Sequence, residues 1–131
     1  MLASIPRTLP ALVEAQQIAS RAAHAGFDWE NVGGVLAKLR EEVAEVEEAI
    51  QGGQDGKVAE EIGDLLFAVV NLARFVKTDP EAHLRAATEK FRGRFDRVTA
   101  MLQAEGRSPE SAGLPELDRL WEKAKREEGK G

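Results

Sequence analysis

Apolar side chains recur every three or four residues along almost the whole chain, the spacing of one face of an α-helix. With the Gly and Pro residues that interrupt it, this spacing predicts helices over residues of about 9–25, 32–51, 57–76, 80–104 and 115–127. No segment alternates β-branched with polar residues, so we expect no sheet. The pattern indicates an all-α bundle of four to five helices, in a single domain over residues 1–131.

The second and third helices each carry an apolar stripe that we expect to face inward. The stripes consist of Val35, Leu36, Leu39, Val43, Val46 and Ile50, and of Val58, Ile62, Leu65, Leu66, Val69 and Ala73. We also expect four phenylalanines in the core, namely Phe67, Phe75, Phe91 and Phe95. The third and fourth predicted helices are long for so small a chain, and the helices bury their stripes more completely against a second copy, so we expect a homodimer.

Two short acidic segments are the main candidates for chemistry. Their sequences are Glu41-Glu42-Val43-Ala44-Glu45 and Glu61-Ile62-Gly63-Asp64. Residues three apart are neighbours on a helix surface, so each segment presents two carboxylates side by side. Oxygen ligands with no Cys in the chain and no His nearby favour Mg²⁺, or Mn²⁺, over zinc. The alternative is a solvated helix face, which is common in a chain that is 31% charged.

Charged residues on three helices fall on equivalent flanks of the apolar stripes when each residue advances about 100°. They are Lys38, Glu41, Glu42 and Glu45, then Lys57, Glu60, Glu61 and Asp64, and finally Lys90 and Arg94. The carboxylates would bind Mg²⁺, and a polyphosphate would then bridge the Mg²⁺ to the cations Lys90 and Arg94. The alternative for Lys90 and Arg94 is pairing with surface acids such as Glu89.

The chain has two tryptophans, Trp29 and Trp121. For each, core packing or docking of a helix end competes with stacking on a nucleobase. Lys125 lies one helical turn beyond Trp121, so a ring and a cation can approach the same ligand. His24 and His83 are isolated, and we expect no ligand role for either.

Composition narrows the class of partner. A net charge of −5 argues against a nucleic-acid surface, which needs an excess of Lys and Arg. The longest apolar run, residues 65–70, is far too short to span a membrane. The first residues show no charged start followed by an apolar run, so we expect no signal peptide and a cytoplasmic protein.

The ordered motifs resemble the MazG family of nucleoside triphosphate pyrophosphohydrolases. The likeness extends over nearly the whole chain, and is closest to the C-terminal, catalytic half of two-domain members. It is carried by Gly26-Phe27-Asp28-Trp29, Lys38-Leu39-Arg40-Glu41-Glu42-Val43-Ala44-Glu45, Glu60-Glu61-Ile62-Gly63-Asp64-Leu65-Leu66-Phe67-Ala68, Lys90-Phe91-Arg92-Gly93-Arg94-Phe95 and Leu120-Trp121-Glu122-Lys123-Ala124-Lys125.

This resemblance implies an all-α bundle assembled as an intertwined homodimer. It also implies Mg²⁺-dependent hydrolysis of nucleoside triphosphates between the α and β phosphates, giving the monophosphate and pyrophosphate. By position, the metal ligands are Glu42, Glu45, Glu61 and Asp64. The positions that line the nucleotide site are Lys38, Glu41, Lys57, Glu60, Lys90, Arg94, Trp121 and Lys125. Glu41 is our candidate for activating water, and Lys90 and Arg94 for holding the outer phosphates.

Two alternatives to a nucleoside triphosphate pyrophosphohydrolase of broad substrate range remain open. One is an enzyme of the same architecture with a narrower substrate, either dUTP or phosphoribosyl-ATP. The other is a non-catalytic helical adaptor whose acidic faces bind a basic partner. All four ligand positions are intact, which argues against the adaptor.

Overall fold

The computed structural model describes residues 1–129, and every regular element in that range is helical. The elements are α1 (Ala11–His24), α2 (Val32–Gln51), α3 (Asp55–Phe75), α4 (Pro80–Gln103), a 3-10 helix (Pro109–Ser111) and α5 (Leu114–Glu128). The all-α prediction is therefore confirmed. The predicted bounds of α2 match at both ends, whereas the 3-10 helix lies in a segment for which we predicted no helix.

The chain forms two compact units, Met1–Ala82 and a second that begins at His83. In the first unit, α3 packs against both α1 and α2. The turn between α2 and α3 depends on Gly53, which adopts a left-handed φ of 66°. The N–H of Gly53 donates to Ile50 O, and the N–H of Gln54 donates to Ala49 O. The chain reverses direction at this turn, so α3 packs alongside α2 and the two acidic segments come together.

The seam between α2 and α3 is formed by small and acidic side chains. The buried residues of α2 are Val35, Glu42 and Ala49, which are seven residues apart, and those of α3 include Glu61 and Ala68 with the same spacing. A spacing of seven keeps residues on nearly one line along a helix. Glu42 and Glu61 therefore occupy positions on the buried seam, beside alanines that let the helix backbones approach.

Several side chains that we expected to face inward are instead exposed in the chain. They are Val43, Ile50, Ile62, Leu66, Val69, Phe67, Phe91 and Phe95. In the first unit these side chains are exposed because α2 and α3 pack together through their acidic flanks. Much of each apolar stripe therefore faces away from the contact between the two helices. The inward assignment of these residues is wrong for a single chain.

The second unit contains most of α4, the 3-10 helix and α5. Its core includes Val98, Leu102 and Ala124, all of which are almost fully buried. Arg107 donates to both oxygens of Glu116, at 2.7 and 2.6 Å, and so connects the segment after α4 to the first turn of α5. This hydrogen-bonded guanidinium lowers the pKa of Glu116.

Candidate metal centre

Two buried carboxylates face each other across the α2–α3 seam. Glu42 and Glu61 are each only 5% exposed. One oxygen of each is paired with a lysine one turn earlier: Lys38 Nζ lies 2.9 Å from Glu42 Oε1, and Lys57 Nζ lies 3.3 Å from Glu61 Oε1. The other oxygen of each, Oε2, is buried without a hydrogen-bond partner among residues 1–129. A buried oxygen of this kind is costly unless a donor or a cation binds it.

Glu45 completes a three-carboxylate cluster. One oxygen each from Glu42, Glu45 and Glu61 lies within 4.8 Å of the other two. A hydrogen bond to Glu61, with partial burial and the negative charges of Glu42, Glu61 and Glu41, raises the pKa of Glu45 to about 7. In the absence of a cation, the carboxyl group of Glu45 therefore keeps its proton to a higher pH than an ordinary glutamate does. A divalent cation would replace that proton, and a set of oxygen ligands suits Mg²⁺ or Mn²⁺.

The other residues predicted for this region lie around the cluster, and four of them, including Lys57, are exposed. Asp64 is exposed and does not belong to the group of oxygens within 4.8 Å, so its role as a ligand stays a prediction. Glu41 is exposed and accepts a long hydrogen bond of 3.5 Å from Lys38 Nζ. Glu60 is also exposed. Hydrogen bonds to the buried glutamates raise the pKa values of Lys38 and Lys57, so both lysines stay charged.

An open cavity of about 540 Å³ lies beside the cluster and is lined by Glu45, Lys57 and Glu61. Sequence reasoning missed two of its other lining residues, Glu48 and Gln54. Glu48 follows Glu45 by three residues, so the spacing rule that identified Glu45 would also have identified it. No pattern in the sequence marks Gln54, because it belongs to the turn.

In the second unit, Arg94 is already bound by a carboxylate. Its Nε lies 3.0 Å from both oxygens of Glu128. Its guanidinium lies 5.7 Å from the ring centroid of Trp121, which in turn contacts Phe91 at 5.1 Å. These contacts are the ones expected if Trp121 docks α5 onto α4, the alternative to a role in stacking on a nucleobase. Glu128 was missed, although it follows Trp121 by seven residues and so shares its helix face.

The two remaining lysines predicted to bind substrate are both exposed in this unit. Lys90 is exposed on α4. Lys125 is exposed on α5, with its Nζ 3.9 Å from Glu122 Oε1, a distance typical of a weak surface pair. Exposure alone does not test whether a lysine binds substrate, so the roles of Lys90 and Lys125 stay predictions.

The raised pKa of Glu45 leads to an expected pH dependence. The pKa of Glu45 in the folded protein, about 7, lies above its ordinary value of 4.5. Without a cation, the folded chain binds more protons than the unfolded chain between these values, so its free energy of unfolding falls as pH rises. Mg²⁺ must displace the proton, so we expect the rise in melting temperature on adding Mg²⁺ to be larger at pH 8 than at pH 5.5. Thermal melts in EDTA and in Mg²⁺ measure both trends.

A matched variant isolates the group responsible for this pH dependence. Glu45→Gln removes the titrating carboxyl, so its melting temperature in EDTA should change less with pH across this window than that of the wild-type chain. An equal stabilisation by Mg²⁺ at pH 5.5 and pH 8 in the wild-type chain would contradict the assignment.

These features define an all-α protein with a buried carboxylate cluster suited to a divalent cation. The sequence profile of the MazG nucleotide pyrophosphohydrolase domain matches residues 16–99. That match covers more than half of the chain, and the chain belongs to this family. The family assignment made from the ordered motifs is confirmed.

Three relatives show how far the similarity extends. The chain is 46% identical over 129 residues to a nucleoside triphosphate pyrophosphohydrolase of Escherichia coli K12, covering 97% of this chain and 49% of that protein. It is 43% identical over 117 residues to the nucleoside triphosphate pyrophosphohydrolase/pyrophosphatase MazG of Thermotoga maritima, covering 89% and 45%. It is also 43% identical over 68 residues to the uncharacterized protein YabN of Bacillus subtilis, covering 52% and 14%. The chain thus spans about half the length of the first two relatives.

Within residues 1–129, no helix combines the length and the apolar character needed to cross a bilayer.

Proposed function

We propose that this chain hydrolyses nucleoside triphosphates between the α and β phosphates, with Mg²⁺, to the monophosphate and pyrophosphate. The observation that carries the proposal is the pair of buried, unpartnered carboxylate oxygens on Glu42 and Glu61. Both residues belong to the cluster with Glu45, and a cation there would compensate their buried charge. The activity named for the E. coli and T. maritima relatives supports the same reaction.

The proposed ligands of Mg²⁺, or of Mn²⁺ in its place, are Glu42, Glu45, Glu61 and Asp64. When bound, the cation supplies charge neutralisation for the phosphates and acidifies a bound water. Glu41 is exposed beside the ligands, and its carboxylate accepts a proton from the attacking water. The water oxygen bonds to the α phosphorus, the bond to the bridging oxygen breaks, and pyrophosphate leaves.

The remaining proposed roles belong to side chains that hold the substrate. Lys38 and Lys57 neutralise the buried glutamates in the ligand-free chain, and a bound cation would release them to contact phosphate. Glu60 is proposed to line the same site. In the second unit, the residues proposed to bind the nucleotide are Lys90, Arg94, Trp121 and Lys125.

A panel of nucleotides tests this function and separates its alternatives. The purified chain is incubated with Mg²⁺ and each of the common NTPs and dNTPs, dUTP and phosphoribosyl-ATP, and pyrophosphate and monophosphate are quantified. We expect equal amounts of both products from several nucleotides, and none in excess EDTA. Turnover of dUTP or phosphoribosyl-ATP alone would support the narrower enzyme. No turnover, together with no Mg²⁺ binding by calorimetry, would support the adaptor.

We also propose that the chain forms a homodimer through the exposed apolar side chains of α2 and α3. Ile62, Leu66 and Val69 are all exposed and lie within about 60° of one another around α3. Val43 and Ile50, seven residues apart, form a similar exposed row on α2. Rows of exposed apolar side chains are typical of a surface that a partner covers.

Leu66→Glu is expected to dissociate this dimer, because it places a charge in an interface that excludes water. Light scattering should give twice the 14.3 kDa mass of the chain for the wild type, and the mass of one chain for the variant. Gln17→Glu, an exposed position on α1, adds the same charge and should leave the mass unchanged. A wild-type mass of one chain would overturn the proposed dimer.

A further inference from the structure

An acidic side chain of α5 occupies the arginine that we propose to bind phosphate. Arg94 lies on α4 with its side chain 18% exposed, and its Nε donates to both oxygens of Glu128, at 3.0 Å each. The other two nitrogens of the guanidinium, Nη1 and Nη2, donate no hydrogen bond to any of residues 1–129. A carboxylate and a phosphate group offer a guanidinium the same kind of acceptor, two oxygens that share negative charge. Glu128 therefore occupies the position of a substrate phosphate.

The geometry of this ion pair differs from that of the Arg107–Glu116 pair in the same unit. Arg107 uses two nitrogens, one for each oxygen of Glu116, at 2.7 and 2.6 Å. In Arg94, a single N–H is shared between the two oxygens of Glu128. Two parallel N–H···O bonds are stronger than one N–H divided between two acceptors. The Arg107–Glu116 pair thus suits a structural role, whereas a better acceptor can displace Glu128 from Arg94.

Glu128 belongs to the final turn of α5, which the core of the unit does not hold. The last buried residue of the helix is Ala124, whose backbone oxygen accepts from Arg97 Nη1 at 3.3 Å. Residues 125–127 are exposed, and Glu128 is the final helical residue. Final turns open readily because their last carbonyls have no partner within the helix, and the helix dipole opposes a negative side chain there. Moving Glu128 away from Arg94 therefore leaves the core undisturbed.

Other contacts hold the guanidinium of Arg94 in place when Glu128 leaves. The guanidinium lies 5.7 Å from the ring centroid of Trp121, within the range of a cation–π contact. The Trp121 ring is in turn held by Phe91, whose ring centroid is 5.1 Å away. A phosphate oxygen can bind Nη1 or Nη2 before Nε is released. Glu128 and a phosphate group can therefore exchange stepwise on a guanidinium that does not move.

We propose that Glu128 is an internal competitor of phosphate, whose carboxylate occupies Arg94 in the ligand-free chain and is displaced by the substrate. The inference rests on the proposed function, because it takes Arg94 to bind a phosphate group. Displacing Glu128 then costs every such ligand the same free energy. That cost excludes inorganic phosphate, which has few other contacts, whereas a triphosphate has further phosphate groups whose contacts offset it. The same competition weakens binding of the product pyrophosphate and so speeds its release.

Binding of inorganic pyrophosphate with Mg²⁺ tests the competition, because it needs no turnover. We expect Glu128→Gln to lower the dissociation constant, measured by calorimetry, by roughly threefold to tenfold. Glu127→Gln, at the exposed neighbouring position, removes the same charge and should leave the dissociation constant unchanged. Equal constants in the wild type and in Glu128→Gln, or the same gain in both variants, would overturn the proposal.

A double variant shows whether Glu128 acts through Arg94. In the Arg94→Ala background the contested guanidinium is absent, so Glu128→Gln should no longer change the dissociation constant of pyrophosphate. An equal gain in both backgrounds would indicate general charge repulsion and would overturn the proposal.

A purely structural role for Glu128 predicts the opposite sign. If the carboxylate positions Arg94 instead of competing for it, Glu128→Gln weakens pyrophosphate binding and lowers the melting temperature, and the competition is wrong. We expect tighter binding with little change in the melting temperature, because the pair lies in the last turn of α5.

Failure of the competition and failure of the proposed function give different results. Tighter pyrophosphate binding by Glu128→Gln without turnover of any nucleotide would support the competition and contradict the enzyme. Normal turnover with equal pyrophosphate affinity in the wild type and in Glu128→Gln would support the enzyme and contradict the competition.

Discussion

Glu61→Gln is expected to reduce pyrophosphate release by about two to four orders of magnitude, which corresponds to the several kcal/mol that a bound cation supplies to a phosphate transition state. Glu61 is buried, it places one oxygen within 4.8 Å of oxygens of both Glu42 and Glu45, and it is paired with Lys57. An amide of the same shape keeps the packing but is neutral and binds Mg²⁺ poorly. The rate is measured as pyrophosphate released, and Mg²⁺ binding by calorimetry.

The same substitution should not unfold the ligand-free chain. Gln removes one of the mutually repelling carboxylates, so in EDTA we expect the melting temperature of the variant to equal or exceed that of the wild type. In Mg²⁺ the order should reverse, because only the wild type gains from the cation. Glu47→Gln, an exposed position on α2, makes the same change of charge and should leave rate and melting temperature unchanged. Wild-type turnover in excess EDTA, or a normal rate in Glu61→Gln, would contradict the metal centre.

Arg94→Lys is expected to raise KM and lower kcat, each about tenfold or more, although the charge is kept. In the ligand-free chain, Nε of Arg94 alone contacts both oxygens of Glu128, and we expect Nε and a terminal nitrogen of the guanidinium together to bind two phosphate oxygens. An ammonium group cannot reproduce that planar pair of donors. Initial rates at a series of triphosphate concentrations measure both constants.

Two further variants make the Arg94 result specific. Glu128→Gln removes the carboxylate that competes with phosphate for the guanidinium, so its KM should fall below that of the wild type. Arg92→Lys alters an exposed arginine on the same helix, which pairs with Glu89 at 3.4 Å, and should leave both constants unchanged. Normal kinetics in both Arg94→Lys and Arg94→Ala would rule out a phosphate contact by Arg94.

The sequence alone was sufficient for the helices, because their ends are local. Apolar spacing, Pro80 and the glycines near positions 26, 53 and 106 act within one or two turns, so all five long helices were placed correctly. The side-by-side arrangement of Glu42 with Glu45, and of Glu61 with Asp64, follows from helix geometry in the same way. Family membership followed from the order of these motifs, and the profile match confirms it.

Only the tertiary structure decided which of these side chains are buried and what they contact. Periodicity identifies an apolar face, but it does not say which flank of that face a neighbouring helix covers. Packing along the Val35–Glu42–Ala49 line buried Glu42 and Glu61, left one oxygen of each without a partner, and turned Leu66 outward. The Arg94–Glu128 pair likewise joins residues far apart in sequence, and such a contact depends on how helices pack rather than on local spacing.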